Sequence, residues 1–304
     1  MLRNEKILIT GPTGQVAFPI ARELAQHNEV HGLARFRRPE ERERLEAVGV
    51  RCLQADLADD SLEGVPRDYG CVLNFAIAKT GDFAYDLAAN AEGVGRLMAH
   101  CREARAFLHC SSAAVYQYAG GRPVRETDPL GDNHRVLFPT YSLCKIASES
   151  VVRFAARQWR LPTTIARLSV PYGSSGGWPW FHLLAMKAGQ PIPLHPEAPN
   201  LYNPIHEDDL IAQVPRLLEI AAVPPTTLNW GGSEAVAIED WCAYLGELTG
   251  LEPRFRITDK SLGGLPVDLG RMHELVGQTR IDWRDGLRRM VEAREPDLLR
   301  TARR

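Results

Sequence analysis

Short apolar runs alternate with longer amphipathic stretches through the first half of the chain. The runs at residues 6–10, 30–34, 50–54, 71–75, 106–110 and 163–168 are rich in Val, Ile, Leu, Phe and Cys and are bounded by turn formers, which predicts strands. Between them, apolar positions recur at three- and four-residue spacing, predicting helices over 16–26, 84–103 and 140–157. Strands separated by helices make a parallel sheet, because each crossover must carry the chain back to the same end. Right-handed crossovers then put helices on both faces. The expected fold class is therefore α/β, with a doubly wound Rossmann-type parallel sheet.

After Leu168 the texture changes. Residues 171–204 are rich in Pro, Gly and Trp, as in Gly176-Gly177-Trp178-Pro179-Trp180. A helix over 208–221 and a short strand at 228–230 return to the sheet, and from 233 onward helix and loop alternate. This places residues 1–171 and 200–232 in the larger unit. Residues 172–199 and 233–304 form a smaller, discontinuous C-terminal α/β lobe, ending in a solvated basic tail, Arg300–Arg304. No internal repeat and no low-complexity segment interrupts this order.

Composition narrows the picture by exclusion. With 304 residues, 44% apolar and 24% charged, the chain has the makeup of a soluble globular protein with a large core. A net charge of −2 gives no reason to expect nucleic acid or an anionic membrane as partner. No apolar run is long enough to span a bilayer, and the first strand begins too early to leave room for a signal peptide. The six cysteines lack CxxC spacing and several sit in apolar runs, so they read as reduced thiols of a cytoplasmic protein. Cys144, beside Lys145, is the one whose neighbour raises the question of reactivity.

Two stretches carry chemistry. Ile9-Thr10-Gly11-Pro12-Thr13-Gly14-Gln15-Val16-Ala17 reads as strand, glycine turn and helix start. Glycines let backbone N–H groups approach a pyrophosphate, which a helix N-terminus then stabilises. The second strand ends in Ala34-Arg35, where an NAD site usually offers an acid to the ribose 2′-OH. A guanidinium suits a 2′-phosphate, so the cofactor expected here is NADP, with NAD possible. Arg37 and Arg38, close behind, can equally be the start of a solvated charged segment. The second stretch is Tyr141-Ser142-Leu143-Cys144-Lys145. A phenol and an ammonium four residues apart share one helix face, where the cation is expected to draw the phenol pKa down from about 10.

These marks resemble the extended short-chain dehydrogenase/reductase family, also called the NAD-dependent epimerase/dehydratase family. The matching residues are Thr10-Gly11-x-x-Gly14, Asp56-Leu57, Asn74-Phe75-Ala76, Asn90-x-x-Gly93, Ser111-Ser112-Ala113-Ala114-Val115-Tyr116, Tyr141-x-x-x-Lys145 and His206-Glu207-Asp208-Asp209-Leu210. They occur in the family's order over roughly residues 5–290. The resemblance implies a catalytic Ser112, Tyr141 and Lys145: the serine bonds the reacting oxygen, the tyrosine moves its proton, and the lysine holds the nicotinamide ribose. It implies a cofactor groove of Gly11, Thr13, Gly14, Gln15, Val16, Arg35, Asp56, Leu57, Asn74, Phe75 and Ala76, together with Tyr141 and Lys145. Asp56 would meet the adenine amine, and Asn90 would help order the active-site helices. Substrate contacts are expected from Lys79, Ser111, Trp178 and Tyr202, although Ser111 also reads as structural, Lys79 as a solvated loop lysine, and the aromatics as packing of the small lobe. A homodimer through the long helices is implied in the same way. No metal is expected, since the acids after His206 cannot all face one ion. They suit a helix N-terminus instead.

Departures from the family pattern shape the substrate reading. Ala113-Ala114 stands where 4,6-dehydratases carry an acidic pair. Val170, Tyr202 and Leu265 stand where sugar-nucleotide enzymes commonly have asparagine, arginine and arginine. The leading expectation is thus an NAD(P)-dependent oxidoreductase working between a carbonyl and an alcohol carbon on a small-molecule substrate. The alternatives are a nucleotide-sugar epimerase or ketoreductase and, from another class, a non-catalytic NADP-binding sensor or scaffold.

Overall fold

The computed structural model describes residues 2–59 and 61–300, so the tail beyond Arg300 lies outside the described residues. Its centre is a seven-stranded, fully parallel sheet: β1 (Lys6–Thr10), β2 (Glu29–Ala34), β3 (Arg51–Gln54), β4 (Cys71–Asn74), β5 (Ala106–Ser112), β6 (Thr163–Leu168) and a last strand, Thr226–Trp230. In space the order is Thr226–Trp230, β6, β5, β4, β1, β2, β3. The chain runs from β1 out to the β3 edge, then returns to start β4 beside β1. That reversal opens a crevice beyond the C-terminal ends of β1 and β4, where Thr10 pairs with Asn74.

The two-residue period of the strands divides the core. Ile7 and Ile9 face a cluster built with Phe18 and Ile20 of α1 (Ala17–Ala25), and Leu8 faces the opposite one. A second surface helix, α2 (Pro39–Glu46), leads into β3. On the far face lie α4 (Gly93–His100) and α5 (Tyr141–Trp159), which contribute Leu97, Met98 and Val152 to the core with Val72 and Phe107.

The helix expected over 84–103 is not one helix. It is α3 (Phe83–Leu87), a π-helical turn at Ala88–Glu92, and then α4. The wider turn carries Asn90, whose amide makes two bonds to Ala78, accepting from its N–H at 2.7 Å and donating to its carbonyl at 2.8 Å. Those bonds tie the loop after β4 to the helix, a use typical of such bulges. The start of α3 is equally pinned. Asp82 accepts from the N–H groups of Ala84 and Tyr85, and buried Asp86 accepts from Thr80, Gly81 and the Thr140 hydroxyl.

Beyond β6 the chain builds smaller sheets around α6 (Trp178–Lys187), α7 (Glu207–Glu219), α8 (Ile238–Thr249), α9 (Gly270–Leu275) and α10 (Trp283–Arg294). One continuous apolar cluster runs from Ile9 and Leu73 of the main sheet through Trp230 to Trp241, Leu287 and Met290. His206 caps α7 by accepting from the Asp208 N–H, while Asp209 accepts from the N–H groups of Arg280 and Ile281. This stretch is built into helix capping and loop anchoring. Among the described residues, no helix is long and apolar enough to cross a membrane.

Candidate active site

The glycine turn is held by contacts that leave no room for a side chain. Gly11 has φ +65°, and a Cβ there would lie 2.8 Å from Ala76 Cα. Its N–H donates to Leu33 O, and Gly14 N–H returns to Gly11 O. The Thr10 hydroxyl accepts from Ala76 N–H and donates to Asn74 Oδ1. A groove follows along the sheet's C-terminal edge, with Gly11, Thr13 and Gly14 at the turn, Arg35, Asp56 and Leu57 at one end, and Phe75 and Ala76 on the β4 side. Gln15 and Val16 lie outside its lining, and Gln15 is exposed.

Asn74, expected in the groove, is buried and committed to the protein. Its carbonyl oxygen accepts from Thr10, so its amide must donate to His109 Nδ1, 3.0 Å away. His109 Nε2 then donates to the Ser148 hydroxyl, which donates to Lys145 O. Burial pulls the His109 pKa down to about 3, matching the neutral imidazole that this chain of bonds requires. A continuous polar line thereby links the glycine turn to the helix bearing Tyr141 and Lys145.

At the β2–β3 end of the groove, Arg35 Nη1 donates to the Tyr85 hydroxyl at 2.5 Å, and that hydroxyl donates to Asp56 Oδ2 at 2.7 Å. The other Asp56 oxygen accepts from Ala58 N–H. Arg37 also lines the groove, whereas Arg38 pairs with Glu41 on the surface.

Ser112, Tyr141 and Lys145 converge at the end of β5 and the first turns of α5. The Ser112 Oγ accepts from Ala114 N–H in the 3-10 turn that ends the strand. Lys145 is buried, and its Nζ donates to Cys110 O at 2.6 Å. The expectation that Lys145 lowers the Tyr141 pKa is not met in the chain by itself. Burial pushes this phenol up to about 12, with only the neighbouring Ser112 hydroxyl working in the other direction. Desolvation of a phenolate outweighs a lysine that is itself desolvated and held on a backbone carbonyl. Cys144 is fully buried, its thiol pushed up by burial, which makes it a packing residue and not a nucleophile.

Over Tyr141 sits a shelf that the motifs did not mark. The His134 ring is 5.9 Å from the Tyr141 ring and the Phe138 ring 6.0 Å. Lys79 Nζ stands 4.7 Å from the Phe138 centroid and 5.5 Å from that of Tyr141. His134 Nδ1 is buried without a hydrogen-bond partner, as are Asp132 Oδ1 and Asn133 Nδ2 just before it. Burial, helped by the Lys79 charge, pulls the His134 pKa down to about 4, so it is a neutral ring at pH 7.

Two expected substrate contacts point elsewhere. Ser111 Oγ donates to Glu149 Oε1 at 2.6 Å, joining a buried cluster in which Glu149 takes two bonds from Arg167. Alternation along β5 sends Ser111 and Ser112 to opposite sides, so only Ser112 meets Tyr141. Tyr202 is buried, and its hydroxyl donates to Gly263 O at 2.7 Å. With Trp178, His182 and Trp241 it forms an aromatic cluster in which Trp178 remains half-buried. The shelf and the Tyr85 bridge were missed because neither belongs to a motif. A signal existed for Glu149, which lies one helical turn past Lys145 on the same face.

A Rossmann sheet with a glycine turn at its switch point, and a groove along the strand ends, defines a dinucleotide-dependent enzyme. The chain belongs to the NAD-dependent epimerase/dehydratase family, whose model matches residues 7–227. No curated protein matches it. Solved structures share the fold. A variant of UDP-glucuronic acid 4-epimerase from Bacillus cereus, in complex with UDP-4-deoxy-4-fluoro-glucuronic acid and NAD, superposes with TM-score 0.80 at 20% identity, covering 95% of this chain and 98% of that one. MoeE5 in complex with UDP-glucose and NAD gives 0.78 at 24%, with the same coverage. UDP-N-acetylglucosamine 4-epimerase from Methanobrevibacter ruminantium M1, in complex with UDP-N-acetylmuramic acid, gives 0.80 at 16%, covering 96% and 98%.

Proposed function

We propose that the protein is an NAD(P)-dependent oxidoreductase that interconverts a carbonyl and an alcohol carbon, with Ser112, Tyr141 and Lys145 as its catalytic residues. The observation carrying this reading is the convergence of Ser112, at the C-terminal end of β5, with Tyr141, at the start of α5, and Lys145 fixed one turn further on by its bond to Cys110 O. Gly11, Thr13 and Gly14 fit a pyrophosphate, because they line the groove on the turn that leads into the N-terminus of α1. Asp56, Leu57, Phe75 and Ala76 fit the remainder of the dinucleotide, and Arg35 fits a phosphate on the adenosine ribose, which favours NADP. When bound, a nicotinamide would supply the hydride acceptor or donor.

The chain's own residues handle the oxygen and its proton. The Ser112 hydroxyl donates to the reacting oxygen as charge develops on it. The Tyr141 hydroxyl, held beside Ser112, gives or takes the proton. A phenol at about 12 is a proton donor at pH 7, which suits carbonyl reduction. Residues 1–171 and 200–232 would hold the dinucleotide, and 172–199 with 233–304 the substrate. A cytoplasmic homodimer is part of the same reading, supported by the family's habit of pairing the helices equivalent to α4 and α5.

A second reading, nucleotide-sugar epimerisation, is favoured by Lys79 beside the Tyr141 ring and by the substrates named for the structural neighbours. An NADPH-oxidation screen over ketones, aldehydes and nucleotide-linked keto sugars separates the two readings. Net oxidation by a simple carbonyl supports reductase. Tightly retained cofactor, no net oxidation and interconversion of a UDP-sugar support epimerase.

A further inference from the structure

We propose that Tyr85 is a selectivity residue for the cofactor: its hydroxyl suspends Arg35 from Asp56 and so presents the guanidinium to a phosphate on the adenosine ribose. The inference rests on the proposed NADP preference and adds a residue outside every motif in the chain. The hydrogen-bond directions are forced. Arg35 can only donate and a carboxylate accepts, so the phenol between them accepts from Arg35 and donates to Asp56. Burial and the bond to Asp56 raise the Tyr85 pKa, which keeps that donor proton in place.

The intervening phenol changes what Arg35 can do. A direct Arg35–Asp56 pair would engage the guanidinium fork bidentately and neutralise it. Tyr85 uses one N–H, at Nη1, and among the described residues Arg35 has no carboxylate ion pair. Arg35 lines the groove, where Arg37 adds a second positive charge and the carboxylate of Glu41 is paired with Arg38. The side chain is held before any ligand arrives, which removes part of the entropy cost of ordering an arginine on binding. The bridge has firm footings: Tyr85 stands on a turn capped by Asp82 and anchored by buried Asp86, and Asp56 is held by Ala58 N–H. The Arg35 guanidinium also lies 5.9 Å from the Tyr85 ring centroid.

The test is calorimetric titration of 2′,5′-ADP and 5′-AMP, which differ only in the 2′-phosphate, into wild type, Tyr85→Phe and Arg35→Ala, with no turnover involved. Phenylalanine keeps the half-buried ring and deletes only the bridging hydroxyl. Wild type should prefer 2′,5′-ADP, and Tyr85→Phe should cut the affinity ratio by about tenfold or more, the worth of one hydrogen bond to a charged group, with 5′-AMP little changed. If Arg35→Ala abolishes the preference while Tyr85→Phe retains it, the Tyr85 role is overturned and the NADP reading stands. If Tyr85→Phe weakens both ligands equally, the residue is structural, and the proposal is again overturned. If wild type itself shows no preference, the NADP reading fails and the selectivity role falls with it.

Discussion

Replacing Glu149 with glutamine should destabilise the protein by about 3 kcal/mol at pH 7. Glu149 is fully buried on α5 and accepts four bonds: from Ser111 Oγ and Arg167 Nε on Oε1, and from Arg167 Nη2 and Arg153 Nη1 on Oε2. Burial alone would raise its pKa, but Arg167, Ser111 and Arg153 overcome that and hold it at about 2, against 4.5 for a free glutamate. At about 1.4 kcal/mol per tenfold in proton affinity, the difference corresponds to about 3 kcal/mol. The independent expectation for breaking a buried ion pair is about 3–5 kcal/mol, because Arg167 would be left charged and unmatched. Since the folded pKa is depressed, this stability is fully present above about pH 5 and is lost as pH falls toward 2; roughly half remains at pH 3. The assay is urea unfolding at pH 7 and pH 3. Wild type and Glu149→Gln should differ by about 3 kcal/mol at the first pH and by clearly less at the second. A Glu149→Gln variant within 1 kcal/mol of wild type at pH 7 would refute the reasoning.

Three further outcomes are expected. Gly11→Ala should cost about 1–3 kcal/mol in backbone strain, and more where its Cβ meets Ala76 Cα, with dinucleotide binding lost; a variant titrating NADPH with wild-type affinity would contradict the turn geometry. Lys79→Met should raise KM for an anionic or sugar-nucleotide substrate about tenfold or more and leave NADPH affinity unchanged, and an unaltered KM would show that this cation does not face the substrate. His134→Leu fills the same space without the unpartnered Nδ1, so thermal stability should hold or rise while substrate KM increases; unchanged steady-state kinetics would remove His134 from the substrate surface.

Six strands of the main sheet were legible within two residues: β1, β2, β4, β5 and β6 are largely buried apolar runs bounded by turn formers, while the half-exposed edge strand β3 was placed by its position in the alternating order. The glycine turn and the Tyr141–Lys145 pair were legible because their chemistry lies within a few consecutive residues. What pattern could not show depends on contacts distant in the chain. The π-helical turn at Ala88–Glu92 exists to bring Asn90 to Ala78, and the helical periodicity runs straight across it. Asn74 reads as a groove residue until His109, on the next strand, claims its amide. Tyr202 reads as a pocket aromatic until Gly263, far along the chain, accepts its hydroxyl. The pKa of Tyr141 was misjudged for a related reason: spacing on a helix reveals a neighbouring charge but not the desolvation that opposes it.

The central claim is that the Tyr141 hydroxyl moves the substrate proton. It is tested most directly by single-turnover kinetics of Tyr141→Phe on a substrate found by the NADPH screen, with NADPH affinity measured in parallel. The account predicts a loss of about 100-fold or more in the rate of the chemical step, with cofactor affinity within about twofold of wild type. A Tyr141→Phe enzyme that turns over at the wild-type rate would contradict it.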